Sequence, residues 1–255
     1  MQNDLDIFRG KRRMISIAAM ASLFAFGGYA AAQTTTAPSA QPGMQSPVAY
    51  TEQQELVNSA ETTIGNFMRD PDMDWLQRHI GDAKAVLVAP QIVKAGYIFG
   101  GSGGRAVLFV RNASGKWEGP AFYNVGAATV GFQAGISVSE TLTLVMTDKG
   151  VNSLMAPSIK LGGDASIAAG PVGAGAASDI TTDFVAFSRS KGIYGGLNLE
   201  GSVIAVNNDW NSAYFGKPVT PTDIVMTGKV RNAEADRIAQ ELNRVASRVK
   251  SSSVK

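Results

Sequence analysis

Between Lys94 and Val110 the chain reads KAGYIFGGSGGRAVLFV, and only Ser102 interrupts the glycines of Gly100–Gly104. Such a run can cradle a phosphate, expose a nucleophilic serine, or turn the chain between two strands. Gly101 to Ala106 satisfies the dinucleotide pattern G-x-G-x-x-G/A, and Gly100 to Gly104 satisfies the nucleophile-elbow pattern G-x-S-x-G. The first needs a strand, a glycine turn and then a helix whose N-terminus meets the pyrophosphate. Here AVLFVR follows, which has strand composition, and no acidic ribose partner stands at the right distance; Glu118 comes too early. The second also needs a helix after the serine, and a histidine later in the chain. The only histidine is His79, upstream of Ser102. Neither reading survives, and the expectation is no enzyme.

Metal chemistry has no better footing. Asp148, Asp164, Asp179, Asp183 and Asp209 are scattered, without the spacing of an oxygen-ligand loop, and solvated strand-end carboxylates are the expected outcome. There is no cysteine, hence no disulfide framework, thiolate site or acylated N-terminal cysteine. No catalytic residue, metal or cofactor is expected. The glycine segment (Gly100, Gly101, Ser102, Gly103, Gly104) is predicted to be a mobile loop joining two strands. With Lys94 and Arg105 at its base, its exposed N–H groups suit an anionic headgroup; the alternative is a turn with no further role.

These residues need elements to position them. From Thr51, Leu56, Val57, Ala60, Ile64, Phe67 and Met68 recur at helical steps, and Asp70-Pro71 should end that helix. A short helix over Met73 to about Ala83 follows, with Trp75, Leu76 and Ile80 on one face. From Lys84 the pattern is one of strands: AVLVAP, AGYIFG, RAVLFVR and TLTLVMT are short, apolar and bounded by breakers. Leu142, Leu144 and Met146 alternate with threonines, and Ile193, Leu197, Leu199, Val203 and Ala205 with polar residues, as in antiparallel sheet. RNASGKW (Arg111–Trp117) carries turn chemistry. Glycines inside several strands favour a curled sheet or small barrel. Asn232 can cap a last helix with an apolar stripe of Ala235, Ile238, Leu242, Val245 and Val249 and a basic remainder. The predicted class is therefore α+β: a small antiparallel β-barrel core with helices on its surface and protruding glycine-rich loops.

The N-terminus reads as an export signal. Arg9, Lys11, Arg12 and Arg13 precede the apolar run Met14–Ala32, which ends in a small-residue cleavage pattern before Gln33. An uncleaved anchor is the rival, but the run is alanine-rich and broken by Gly27-Gly28. The expected organisation is a signal peptide over 1–32, a Thr/Pro/Ser/Gln-rich linker over 33–50, a domain over 51–250 and a disordered tail over 251–255. The full chain has 23 basic and 21 acidic residues. Residues 1–32 carry four of the former and two of the latter, leaving 19 of each. That balance argues against a nucleic-acid partner.

AKAVLVAPQIVKAGYIFGGSGGRAVLFVR, followed by GKWEGPAFYNVGAATVGFQAG, resembles the first half of a SYLF domain, and LGGDASIAAGPVG with FSRSKGIYGGLNLEGS resembles its second half. The likeness runs from about Thr51 to about Ala246. It implies a small β-barrel dressed with helices, no catalytic motif, and lipid binding, associated in eukaryotes with phosphoinositides and actin-linked membrane traffic. The expected function is that of an exported, periplasmic or secreted module contacting anionic phospholipid or phosphoinositide headgroups. The alternative is a structural protein of the cell envelope with a protein or cell-wall partner. Candidate lipid contacts are Lys94, Arg105, Arg189 and Lys191 around the loops, with Arg237, Arg244 and Arg248 along the last helix.

Overall fold

The computed structural model describes residues 51–96, 99–130, 135–173, 180–190, 193–194 and 201–252. The expected signal peptide and linker lie outside them.

Helix α1 (Glu52–Arg69) starts where the sequence places it. The Thr51 hydroxyl accepts from Gln54 N at 3.3 Å, and Glu52 and Glu55 in the first turn complement the helix dipole. Val57, Ala60, Ile64 and Phe67, spaced by three and four, form its buried face. Asp70 ends the helix and caps a 3₁₀ turn (Pro71–Met73) through Asp72 N at 3.0 Å; α2 (Asp74–His79) follows, with Trp75 and Leu76 buried.

Four long strands come next: β1 (Ala85–Gly96), β2 (Phe99–Arg111), β3 (Trp117–Val130) and β4 (Gly135–Val145). The β2–β3 turn is the predicted one. Asn112 Oδ1 accepts from Ser114 N and Lys116 N at 3.0 Å each, and Gly115 takes φ +80°. Then come α3 (Asp148–Leu154), β5 (Ser158–Lys160), β6 (Ile167–Ala169), β7 (Phe184–Ser190), β8 (Ile193–Tyr194) and β9 (Val203–Val206). Ile193 and Val203, read above as one alternating stretch, fall on separate strands. Helix α4 (Asn208–Phe215), a π-helical turn (Thr222–Met226) and α5 (Ala233–Ser252) complete the chain.

The strands form one curled sheet in the order β5-β9-β3-β2-β1-β4-β7-β6, with β8 on β7. Two expectations need correcting. Among the described residues the strand order leaves β5 and β6 as ends, so the sheet is an open half-barrel and not a closed barrel. It is also mixed, because β6 runs parallel to β7 while the other pairings are antiparallel. The α+β class itself stands.

The larger correction concerns the glycines. Gly100–Gly104 are not a loop; they lie inside β2, paired with Ile92–Gly96 of β1 on one side and Val125–Thr129 of β3 on the other. Extended glycine backbone needs only a partner strand, and here it has two. The register shifts between Val88 and Gln91, where Pro90 sits in a bulge of β1 and costs no ladder hydrogen bond.

Both faces of the sheet are covered at one end. The concave face packs Leu87, Leu108, Ala121, Tyr123 and Phe184 against α3, β5 and the π-helical turn. Tyr123 donates to Leu154 O at 2.9 Å, and burial pushes its hydroxyl pKa well up. The convex face packs Val86, Val107, Phe109, Phe122, Leu142 and Phe187 against α1, α2 and α5. Helix α5 uses Ile238 and Leu242 for this, and Ala235 of the predicted stripe is buried as well. Helix α4 is tied to β3 by Asn211, which is fully buried. Its Oδ1 accepts from Phe122 N at 2.8 Å and its Nδ2 donates to Phe122 O at 3.3 Å. One side chain thus completes a backbone residue as a neighbouring strand would. Asn211→Ala should lower unfolding free energy by about 2 kcal/mol, measured by urea denaturation, because it strands a buried N–H.

Candidate functional site

Toward their other end the four long strands leave the core. From Val93 to Gly96, Gly101 to Gly104, Asn124 to Ala128 and Gly135 to Val138, every residue is exposed or half-buried. The reason is compositional: this half of the sheet is rich in glycine, alanine and serine, so it offers little bulk for a helix to cover. Cross-strand register puts Val93 opposite Val138 and Ala95 opposite Ile136, with Gly103 and Gly101 alongside on β2. The result is an aliphatic ledge on the convex face, where Val93 and Val138 are each 39% exposed and Ile136 is 75% exposed. Lys94 lies between Val93 and Ala95 and so belongs to the concave face.

Beside the ledge, α1 and α4 border a groove of about 590 Å³. Glu52, Glu55, Leu56 and Ser59 line it from α1, and Gln91, Val93, Gly103 and Arg105 from the sheet, with Asn124 and Trp210 at its far wall. Helix α4 holds Trp210 because Asn207 caps it, accepting from Trp210 N at 3.1 Å. The Arg105 guanidinium lies over the Trp210 ring, 4.3 Å from its centroid, a cation–π contact that fixes both side chains.

The candidate basic residues do not gather in one place. Lys94 and Arg105 occupy opposite faces of the sheet, and Arg105 alone lines the groove. Arg189 is three-quarters covered: it pairs with Glu140, approaches Asp70 Oδ2 at 3.8 Å and lies over the Phe67 ring. Glu140 also accepts from Thr63 at 3.1 Å, so this network ties α1 to β4 and β7. Arg237 and Arg244 are exposed on α5. Arg244 donates to Glu241 at 2.8 Å, which raises its already high pKa. Lys191 and the Arg248 side chain lie outside the described residues.

The enzyme patterns have no geometry behind them. Ser102 is mid-strand, paired with Lys94 and Ala127, and no helix follows it. His79 stacks on Trp75 with centroids 3.9 Å apart, its Nδ1 2.7 Å from Trp75 O. Among the described residues no three His, Asp or Glu converge as metal ligands, and no helix is long and apolar enough to cross a membrane.

Residues 126–245 match the family model Ysc84, described as "Las17-binding protein actin regulator". The chain carries a Ysc84, or SYLF, domain. Protein YSC84 of Saccharomyces cerevisiae is 31% identical over 147 residues, 55% of this chain and 31% of that protein. LAS seventeen-binding protein 3 of the same yeast is also 31% identical over 147 residues, 55% of this chain and 32% of its own length. The SH3 domain-containing YSC84-like protein 1 of Bos taurus is 25% identical over 169 residues, 64% of this chain and 49% of that protein. The chain thus spans from about a third to about half of these relatives. In this SYLF domain the matched stretch begins at Gly126 in β3 and takes in β4 through most of α5, so the ledge residues Ile136 and Val138 fall within it while Val93 and Arg105 precede it.

Sequence reading missed Glu52, Glu55 and Trp210 as groove residues, and Ile136 and Val138 as an exposed pair. Ile136 and Val138 stand two apart in GISVSETLTLV, a legible alternation; their exposure depends on β2 offering only Gly101 and Gly103 beyond Ala95 and Val93 of β1.

Proposed function

We propose that this SYLF domain is a binding module without catalytic activity that docks on an anionic membrane surface, in the compartment reached after export. The observation that carries this reading is the aliphatic ledge of Val93, Ile136 and Val138, branched side chains turned to solvent on a rigid four-stranded platform. Exposed contiguous apolar surface of this kind marks an interaction site. Insertion of such side chains supplies the apolar part of peripheral membrane binding, and Lys94, next to Val93 on β1, adds attraction to anionic headgroups. Phosphoinositides are the finer version of the same proposal, since their clustered phosphates offer the strongest such attraction.

Co-sedimentation of the full chain with vesicles of phosphatidylcholine containing an anionic lipid, at several salt concentrations, tests it. Binding should need the anionic lipid and weaken with salt. Ile136→Asp with Val138→Asp should weaken it by tens-fold, since each removes on the order of 1 kcal/mol of apolar burial and adds a repelled charge. Unchanged binding by that variant, with loss when Arg237, Arg244 and Arg248 are all glutamine, would move the contact to α5.

A further inference from the structure

We propose that the groove between α1, the convex sheet face and α4 is a docking site for a short peptide segment bearing arginine. The charges that line it decide its ligand. Glu52 and Glu55 stand three residues apart and so share one face of α1. Both are exposed, and among the described residues neither is engaged in an ion pair. Arg105 is the cation on the opposite side, already held against the π face of Trp210. Two carboxylates against one stacked guanidinium leave the lining negative, so an anionic headgroup would meet repulsion here while a cation is drawn in. A guanidinium fits better than an ammonium, because its planar fork can bond two carboxylates at once.

The remaining lining suits a main chain. Gln91 and Ser59 carry hydrogen-bonding groups, and Asn124 keeps its NH2 as a donor while its Oδ1 accepts from Asn207 at 3.1 Å. Leu56 and Val93 add apolar contact, and Gly103 leaves the floor without a side chain. About 590 Å³ lies within the range of sites that enclose small ligands, enough for a peptide segment and too little for a whole helix. The site adjoins the membrane-docking ledge and shares Val93 with it, but its carboxylates are on α1, whereas Ile136 and Val138 are on β4.

Titration calorimetry of the full chain with the capped peptide acetyl-Ala-Arg-Arg-Ala-amide tests the proposal, with acetyl-Ala-Glu-Glu-Ala-amide as its counterpart. Saturable binding of the arginine peptide alone is expected. It should weaken at least tenfold in the double variant Glu52→Gln with Glu55→Gln, and persist in Ile136→Asp with Val138→Asp. The glutamine variant keeps the length and helix propensity of both side chains, and its thermal midpoint checks folding. No binding by the native chain, or equal binding by the glutamine variant, overturns the proposal. Binding of the glutamate peptide that is lost in Arg105→Gln overturns it too, by making the groove an anion site. So does binding of phosphatidylethanolamine vesicles, without the peptide, that depends on Glu52 and Glu55, since the groove would then read a lipid amine.

Discussion

Gly104→Ala is expected to lower the unfolding free energy by about 3 kcal/mol, whereas Gly101→Ala and Gly103→Ala are expected to change it by less than about 1 kcal/mol. The three glycines sit in one strand within four residues, and what separates them is the backbone they face. A methyl group on Gly104 would lie 2.2 Å from Gln91 O, 3.2 Å from Gln91 C and 3.3 Å from Ile92 Cα. All three atoms are main chain of β1, at the bulge where Pro90 shifts the register. Relief therefore requires β1 and β2 to move apart at the centre of the sheet, which disturbs the pairing of β4 as well. On Gly101 the same methyl would meet only Ala127 O at 3.4 Å, and on Gly103 only Val125 O at 3.7 Å. Those are ordinary contacts in extended backbone. There alanine narrows the unfolded ensemble and has little to disturb in the folded one, so the sign can even reverse. Urea denaturation of the three single variants reads the contrast directly. Three equal effects would mean that glycine serves this strand through its flexibility and not through the close approach at Gly104.

That contrast shows why the glycine run misleads a reader of the sequence. Gly100–Gly104 carries loop composition, and no local rule says that two neighbouring strands will supply its partners. The helices were legible because their signals are local: Thr51 as cap, the three- and four-residue steps of α1, the Asp70-Pro71 stop, the stripe of α5. The Asn112–Lys116 turn was legible for the same reason. Closure of the sheet was not, because whether β5 and β6 meet depends on residues far apart in sequence. The basic candidates fared as charges usually do. Their identities were plain, but only the fold brings Arg189 to Glu140, stacks Arg105 on Trp210 and sets Glu52 and Glu55 across from it. Asp183 is the sharpest case. Composition suggests a solvated strand-end carboxylate, and the structure buries it.

Asp183→Ala should cost about 3 kcal/mol of stability, and acid should reproduce part of that loss in the native chain. Asp183 stands just before β7 and is 6% exposed. Its carboxylate accepts from Thr147 Oγ1 at 2.6 Å, Ser166 Oγ at 2.8 Å, Ser166 N at 3.0 Å and Lys149 Nζ at 3.3 Å. Thr147 is also the cap of α3, accepting from Gly150 N at 3.0 Å. One carboxylate thus fastens α3, the segment before β6 and the start of β7. Gly150 makes the close approach feasible, since a side chain there would press on Val145 at 2.8 Å. The hydrogen bond from Thr147, and then those from Ser166 and Lys149, hold the Asp183 pKa far below its usual value, against the opposing effect of burial. A pKa lowered by folding means that the unfolded chain takes up the proton first. The stabilisation is therefore complete above the unfolded value of about 4 and is lost progressively as pH falls below it. Thermal midpoints of the native chain should drop between pH 5 and pH 2, and the drop should be shallower in Asp183→Ala, which has no carboxylate left to protonate. Lys149→Met should matter little, because the lysine is 69% exposed and its ion pair is screened. If Lys149→Met cost as much as Asp183→Ala, the charge pair and not the hydroxyl and backbone donors would be what fastens this corner.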